Sequence, residues 1–317
     1  GIYASHSDQV TFVGNDLHCY VRKQMKKDKV GIITGGGSGH LPLFLGYVGD
    51  NMLDGCAVGD VFQSPGADQI LEVTRSVNQG RGVLYLYGNY TGDIMNFDLA
   101  SEIAITEGIQ IATTVCNDDV ASGIKGEEHK RRGIAGIFFV YKVAAAAAAK
   151  GMDLQEVRSV AEKARANVRT MGVAFSPCII PEVGRPTFSI GEDEMEIGMG
   201  IHGEPGIRRE KIRPSDEIVK EMLLPVLKDL PFSARDEVCL LINSLGATPK
   251  EELYIIARKA IKIIESQDIA IFHAYVGEFA TSMEMAGASI SLCRLDAELK
   301  RLISVPACTP FFVQNQL

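Results

Sequence analysis

Short, almost wholly apolar runs alternate with amphipathic stretches in the first half of the chain. The runs Val30–Thr34, Gly82–Tyr87 and Gln110–Val115 are rich in β-branched and aromatic residues. Such runs are typical of strands that are buried on both faces. The amphipathic stretches 67–77 and 98–107 lie between them and predict helices. The order strand, helix, strand predicts an α/β layer.

The second half follows the same pattern after a change in composition. A long helical region is predicted from Ile134 to Met171, and it carries the alanine run 143–149. Proline and glycine then become frequent between residues 177 and 206, which predicts a domain boundary near residue 170. Further along, the pattern predicts strands at Glu237–Asn243 and Ile269–Tyr275 and helices at Thr248–Ser266 and Phe279–Ala286. The sequence therefore predicts two α/β domains, residues 1–170 and 171–317.

Charge and composition exclude several classes of function. The 317 residues are 46% hydrophobic and 23% charged, as in an ordinary globular protein. Asp and Glu number 40 against 32 Lys and Arg, for a net charge of -8. An acidic chain without a basic stripe binds the phosphate backbone of DNA or RNA poorly, so we expect no direct contact with nucleic acid. The charged run 127–132 is predicted to be a solvated face.

The cysteines and the apolar segments bear on the compartment. The seven cysteines are scattered and form no CxxC pair, so neither a disulfide framework nor a zinc site is expected. No run approaches the roughly 20 apolar residues of a membrane span. The first ten residues lack the basic leader and apolar core of a signal peptide. We therefore expect reduced thiols, no metal and a cytoplasmic location.

A glycine-rich segment is the strongest local signal. Gly35, Gly36, Gly37, Ser38, Gly39 and His40 directly follow the first predicted strand. Such a segment brings backbone amides close to a ligand. A Walker A loop needs a lysine after its last glycine, and a dinucleotide fingerprint needs a glycine where His40 stands, so neither pattern is met. The segment predicts either a ligand loop or a tight turn from strand to helix with positive φ.

A second polar segment, Asn89–Asp93, follows the next predicted strand. Ligands of open α/β sheets bind beyond the carboxyl ends of the strands, so Asp93 and His40 are expected near one another. An aspartate beside a histidine suits hydrogen bonds to hydroxyl groups or general-base catalysis. Asp93 could equally cap the helix that follows.

The third segment is Gly200–Gly206, with the sequence GIHGEPG. Its small and turn-forming residues place His202 on a stiff, exposed loop. A neutral imidazole there can act as a nucleophile toward a carbonyl group. Apart from Glu204, no further side chain stands at metal-ligand spacing, so a metal site is not expected.

These three segments together resemble the dihydroxyacetone kinase family, and in particular its substrate-binding (DhaK-like) subunit. Four further stretches, at 118–120, 131–136, 243–249 and 281–287, also follow the family's pattern and order. The resemblance implies a two-domain α/β fold, each domain a sheet flanked by helices, with the ligand site between the glycine-rich loops and the histidine of the second domain. It also implies a homodimer.

The resemblance also implies roles for individual residues. His202 would hold dihydroxyacetone as a covalent hemiaminal, supported by Gly203 and Glu204. His40 and Asp93 would hydrogen-bond the ligand hydroxyls and assist proton removal. Gly36, Gly37, Ser38 and Gly39 would supply the backbone of the substrate loop. No cofactor is expected in this chain, because the family places the nucleotide on a different domain or subunit.

Two departures from the family pattern bear on phosphoryl transfer. Leu41 replaces the usual Glu after the first histidine, and Gly88 replaces a Lys before Asn89. The lost groups could position substrate or offset charge as a phosphoryl group approaches. This pattern favours the coactivator (DhaQ) branch of the family, which binds dihydroxyacetone and partners a TetR-like DNA-binding regulator of the DhaS type. The alternatives are an active kinase subunit, partnered by a nucleotide-bearing subunit and a phosphocarrier, and a kinase for a related ketose such as erythrulose.

Overall fold

The structure, a computed structural model, describes residues 1–317 and contains sixteen strands and eight α-helices. In chain order the strands are β1 Val10–Val13, β2 Asp16–Arg22, β3 Gly31–Ser38, β4 Gly55–Val61, β5 Val83–Gly88, β6 Ile111–Cys116, β7 Val168–Ala174, β8 Ile179–Ile180, β9 Arg185–Pro186, β10 Glu194–Ile197, β11 Arg208–Lys211, β12 Glu237–Ser244, β13 Ala270–Glu278, β14 Gly287–Leu295, β15 Ala307–Cys308 and β16 Val313–Gln314. The helices are α1 Ile2–Ser5, α2 Ala67–Val77, α3 Thr91–Thr106, α4 Ile137–Ala149, α5 Leu154–Ala166, α6 Ser215–Asp229, α7 Lys250–Glu265 and α8 Ala297–Ile303. Short 3₁₀ turns occupy Leu45–Tyr47 and Glu128–Lys130. The predicted α/β class is confirmed.

The chain forms two compact units, and it passes between them more than once. Unit 1 consists of residues 1–116, 137–165 and 297–317, and unit 2 of residues 117–136 and 166–296. The predicted division into 1–170 and 171–317 therefore differs from the observed one at two places. The last residues return to unit 1 because α8 packs against α4, and residues 117–136 join unit 2, where Asp119 bridges to Thr170 of β7.

Unit 1 is built on a six-stranded sheet in the order β1-β2-β4-β3-β5-β6. The strands β4, β3, β5 and β6 are parallel, and the β1-β2 hairpin adds an antiparallel edge. Helices α2 and α3 share a core with the sheet. Because β3 and β5 are parallel neighbours, the segments that follow them leave the same edge of the sheet.

Unit 2 is built on a six-stranded mixed sheet in the order β11-β10-β7-β14-β12-β13. Only β12 and β13 run parallel, and the other neighbours are antiparallel. Helices α6 and α7 pack on this sheet and bury their apolar faces in its core. The edge hairpin β10-β11 carries the loop 198–207, which contains His202.

Two predicted helical segments differ from the structure. The region 134–171 divides into α4 and α5 and ends in β7, because residues 168–174 pair with β14. The segment 279–286 is not helical: the Asn243 side chain accepts hydrogen bonds from the backbone amides of Phe279 and Ala280, at 2.8 and 2.9 Å. The amide of Ala286, which would bond to the carbonyl of Ser282 in a helix, donates to the Ser176 hydroxyl oxygen at 2.9 Å, and Met283 has a φ of 53°, outside the α region. None of the eight helices combines the length and apolarity that crossing a bilayer demands.

Candidate functional site

The glycine run does not form a loop in the structure. Residues 35–38 continue β3 and pair in parallel with β4, with a local irregularity between Gly37 and Ser38. Gly39 alone among the run's glycines takes a positive φ, of 100°. The predicted strand therefore extends four residues further, and the turn begins only at Gly39.

The glycines are required because other chain segments pack directly on this part of β3. A Cβ at Gly36 would lie 2.0 Å from the ring of Phe44, and a Cβ at Gly37 would lie 2.7 Å from the backbone at Phe62. Both distances are far below van der Waals contact. Any side chain at these positions would displace the segments that carry Phe44 and Phe62.

Those two aromatic rings hold His40, and we call His40, Phe44 and Phe62 the His40 cluster. The His40 side chain is fully buried. Its ring stacks on Phe62 with centroids 4.8 Å apart and meets the edge of Phe44 at 5.9 Å. Phe62 has a φ of 60°, which is a strained conformation for a bulky side chain. The strain is consistent with a ring that surrounding contacts keep in place.

We expect Gly36→Ala to disturb His40 without touching it. The added methyl must push the Phe44 ring away, and overpacking of this kind costs about 1–3 kcal/mol of the free energy of unfolding. Urea unfolding and the ring proton shifts of His40 measure the two effects. Gly108→Ala is not a suitable control because that residue has a positive φ. Gly172→Ala is suitable, since that residue lies in unit 2 and a Cβ there would be 3.4 Å from its nearest neighbour, the Cβ of Ser289. Unchanged His40 shifts in Gly36→Ala would contradict the packing argument.

Asp93 lies in the first turn of α3 and is 5% exposed. The helix begins one residue after Tyr90, so Asp93 is inside the helix and not its cap, which corrects that alternative. Its Oδ1 accepts a hydrogen bond from the Ser64 hydroxyl at 2.6 Å. A carboxylate in the first turn also faces the positive end of the helix dipole. The Ser64 hydrogen bond fixes the orientation of the carboxylate.

The segment Phe62–Ser64 links the two predicted residues of unit 1. Phe62 stacks on His40. Ser64, two residues after Phe62, donates a hydrogen bond to Asp93. Phe44, Phe62 and Ser64 are not predicted from the sequence. The signal was present, because this segment follows β4, a third parallel strand whose carboxyl end lies at the same edge of the sheet. Gly55, Gly59 and Asp60 interrupt the apolar run of that strand and concealed it.

The second predicted histidine lies in unit 2, in a compact turn. The amide of Gly200 donates to the carbonyl of Glu204 at 3.1 Å, and the amide of Gly203 donates to the carbonyl of Gly200 at 3.2 Å. Gly203 has a φ of 80°, and a Cβ there would also lie 2.9 Å from Thr187. The side chain of His202 is 21% exposed. His202 therefore lies in a turn, as predicted, but it is only partly exposed, and the stiffness of the loop stays a prediction.

Glu204 binds His202 through both of its carboxylate oxygens. Oε1 lies 2.8 Å from the ring Nδ1 of His202, and Oε2 accepts the His202 backbone amide at 2.9 Å. Burial opposes ionisation, but the hydrogen bond and charge of His202 and the charge of Arg132 prevail and lower the pKa of Glu204 to about 2. An ionised carboxylate can only accept, so Nδ1 must donate. A neutral ring then carries its lone pair on Nε2, the nitrogen that attacks a carbonyl carbon.

The depressed pKa of Glu204 predicts a dependence of stability on pH. The carboxyl is ionised in the folded protein down to a pKa of about 2, against an ordinary value of 4.5. Its contribution is therefore fully present above pH 4.5 and is lost as the pH falls toward 2. We expect wild type to exceed Glu204→Gln in the free energy of unfolding at neutral pH, with a gap that narrows in acid. Urea titrations of both proteins between neutral pH and pH 3 measure the gap. A constant gap would contradict this assignment.

The two positions that depart from the family pattern also have defined places. Leu41 follows His40 and is partly buried, and Gly88 is the buried last residue of β5, paired with Cys116 of β6. Position 88 therefore precedes the segment that leads to Asp93. No group of three His, Cys, Asp or Glu side chains is placed to hold a metal ion.

Comparison with known proteins identifies the family. The Dak1 domain matches residues 1–311. This chain belongs to the Dak1 family. The dihydroxyacetone-binding subunit DhaK of PTS-dependent dihydroxyacetone kinase 2 from Listeria innocua is 45% identical over 98% of this chain and 94% of its own length. The L-erythrulose kinase of Pectobacterium atrosepticum is 39% identical over the whole chain, which corresponds to 54% of that longer protein.

Solved structures give the same family. The dihydroxyacetone kinase operon co-activator DhaQ aligns with a TM-score of 0.94 at 31% identity, covering 100% of this chain and 97% of its own. The dihydroxyacetone kinase of C. freundii aligns with a TM-score of 0.89 at 31% identity, over 57% of its own length. The resemblance to the DhaK-like family of the sequence analysis is thereby confirmed. The Dak1 fold accommodates both a kinase and a co-activator, so the fold alone does not choose between them.

Proposed function

We propose that this Dak1 protein binds dihydroxyacetone, or a closely related short ketose, as a covalent hemiaminal on Nε2 of His202. The observation that carries the proposal is the 2.8 Å contact between Nδ1 of His202 and the Glu204 carboxylate. That contact orients the ring and assigns the lone pair to Nε2. The ligand class comes from the relatives, which are named as a dihydroxyacetone-binding subunit and an L-erythrulose kinase.

The chemistry of capture balances with the groups present. The Nε2 lone pair forms a bond to the carbonyl carbon, the π electrons of the C=O bond move to oxygen, and that oxygen takes one proton from solution. Nδ1 keeps its proton, so the alkylated ring is an imidazolium whose positive charge faces Glu204. Noncovalent contacts to so small a ligand limit affinity, and the covalent bond adds to it. Glycerol has no carbonyl group and cannot form the adduct.

Two further residues are proposed to bind the same ligand. His40 and Asp93 occupy the positions to which the family pattern assigns the ligand hydroxyls. Asp93 is oriented by the Ser64 hydroxyl, and His40 is packed between aromatic rings on two sides. We propose that Gly36, Gly37, Ser38 and Gly39 act mainly by allowing this packing.

We propose that the captured ketose is a phosphoryl acceptor and that this chain is the substrate-binding subunit of a ketose kinase. Identity to two full-length kinase subunits of Listeria innocua is 45% and 42%, above the 31% to the DhaQ structure. Erythrulose kinases of Mycolicibacterium smegmatis and Pectobacterium atrosepticum are also 36–43% identical. A nucleotide-bearing subunit would be the partner, with a phosphocarrier behind it, and this chain would need neither nucleotide nor metal of its own.

The coactivator role expected from the sequence is the second candidate. The TM-score of 0.94 to the co-activator DhaQ and the residues Leu41 and Gly88 favour it. In that case ligand capture would alter binding to a TetR-like regulator, and no product would form. A ligand can shift such an equilibrium only through different affinities for the two states. In both cases we propose a homodimer, which light scattering at several concentrations would test.

One experiment separates these functions. The protein is mixed with dihydroxyacetone labelled with ¹³C at the carbonyl, and the label is followed by NMR and native mass spectrometry. D-erythrulose, L-erythrulose and glycerol are run in parallel. A phosphorylated nucleotide-bearing subunit from a working kinase is then added, and the phosphorylated ketose is measured against an authentic DhaK subunit.

The outcomes are distinct. Adduct followed by product supports the kinase, and the preferred ketose identifies its substrate. Adduct without product, while the authentic subunit turns over, supports the coactivator. A labelled carbon that stays a carbonyl at saturating protein rejects covalent capture for that ketose.

A further inference from the structure

Arg132 connects the His202 loop to a deeply buried carboxylate of unit 2. Its Nε and Nη2 lie 2.9 and 2.7 Å from Oδ2 of Asp119, and Nη2 also donates to the carbonyl of Gly198 at 3.0 Å. Its Nη1 lies 3.9 Å from Oε2 of Glu204. The Asp119 side chain is 1% exposed and that of Arg132 is 14% exposed. The expected solvated face at 127–132 is therefore wrong for this arginine.

Glycine at position 200 provides the space for this approach. A Cβ there would lie 2.1 Å from Oε2 of Glu204 and 2.5 Å from Nη1 of Arg132. Gly200 is not among the residues with positive φ, so space, and not backbone conformation, requires glycine here. Any larger residue would push the carboxylate and the guanidinium apart.

The Glu204 carboxylate is consequently held from two sides. Oε1 faces the imidazole, and Oε2 faces both the His202 amide and the guanidinium. A carboxylate with only the imidazole as partner can rotate. It can also become protonated, because burial disfavours its charged form. A guanidinium that is itself fixed by a buried carboxylate opposes both changes.

We infer that Arg132, anchored by Asp119, is a positioning residue for covalent capture: it holds Glu204 in the orientation that keeps the proton of His202 on Nδ1 and the lone pair on Nε2. This inference rests on the proposed function. It extends that function from the reacting histidine to a chain of three charged side chains behind it, Glu204, Arg132 and Asp119. Partners behind a ligating or reacting histidine commonly set its tautomer in this way.

The tautomer can be measured without any ligand. The full-length protein is labelled with ¹⁵N-histidine, and long-range ¹⁵N–¹H spectra report which ring nitrogen of each of the six histidines carries the proton. His202→Gln assigns the His202 signals.

Three variants test the role of Arg132. Arg132→Met removes the positive charge beside Glu204, Arg132→Lys restores a cation, and Gly200→Ala keeps every charge but fills the space between Glu204 and Arg132. Arg209→Met is the matched control, because Arg209 pairs with Glu196 at 2.9 Å beside the other end of the same loop. Circular dichroism verifies the fold of each variant.

We expect the Nδ1–H tautomer in wild type and in Arg209→Met, and a mixture in Arg132→Met and Gly200→Ala. The dissociation constant for labelled dihydroxyacetone should rise roughly 10-fold in those two variants, with partial rescue in Arg132→Lys. An unchanged tautomer and unchanged affinity in both variants would overturn the inference. If wild type forms no adduct while Arg132→Met still shifts the tautomer, the proposed function fails and the positioning role of Arg132 on His202 stands.

Discussion

His202→Ala should abolish the covalent adduct completely. The variant lacks the nitrogen that bonds to the carbonyl carbon, so the labelled carbon of dihydroxyacetone should stay in the carbonyl range of the ¹³C spectrum at any protein concentration. The fold should be kept, because the side chain is partly exposed, while the stability that the His202 contact confers by lowering the pKa of Glu204 should be lost. Native mass spectrometry and urea unfolding of the same sample check both statements.

The matched control is His273→Ala. His273 lies in β13, where it packs against Tyr275 with ring centroids 4.4 Å apart, and burial lowers its pKa. This variant should keep the adduct. An adduct that survives in His202→Ala would show that another nucleophile captures the ketose and would remove the basis of the proposed function.

Phe97→Ala should produce a large loss of stability in unit 1. The ring is fully buried, stacks on Tyr87 with centroids 4.1 Å apart and meets Tyr85 edge-on at 5.2 Å. It also lies against Gly35, where a Cβ would come within 3.0 Å of it. Truncation of a buried phenylalanine costs about 3–5 kcal/mol of the free energy of unfolding. Because Phe97 holds α3 on the sheet, ligand binding through Asp93 should weaken as well.

Urea unfolding and hydrogen exchange of the α3 amides measure this effect. Phe12→Ala is the control, since Phe12 is 40% exposed on the edge strand β1 and its truncation should cost much less. Equal losses in the two variants, or unchanged exchange in α3, would contradict the role assigned to Phe97.

The apolar runs Gly82–Tyr87 and Gln110–Val115 correspond to β5 and β6 within one residue. Burial on both faces is confirmed for β5, which is buried throughout, but it is wrong for β6, an edge strand whose residues alternate between buried and partly buried. The glycine run misled for a physical reason. Glycine is usually counted against a strand, yet here the missing side chains are what lets Phe44 and Phe62 pack on β3.

The sequence predicted the reacting and ligand-binding residues of the candidate site, but not the residues that hold them in place. His40, Asp93 and His202 stand in motifs that are local in sequence. Phe62, Ser64 and Arg132 reach them only through the fold. Phe62 and Ser64 follow a strand that its glycines concealed, and the family stretch 131–136 contains Arg132 without assigning it a role. The segment 279–286 illustrates the same limit, since Asn243 and Ser176, both distant in sequence, bind its backbone amides.

The return of residues 297–317 to unit 1 has a consequence for how the protein is made. Helix α8 and the β15-β16 hairpin contribute to a unit whose other parts are residues 1–116 and 137–165. All of unit 2 lies earlier in the chain than these final elements. Domains generally fold as they leave the ribosome, from the N-terminus onward. Here the unit whose synthesis starts first receives its last helix only after the other unit has been made.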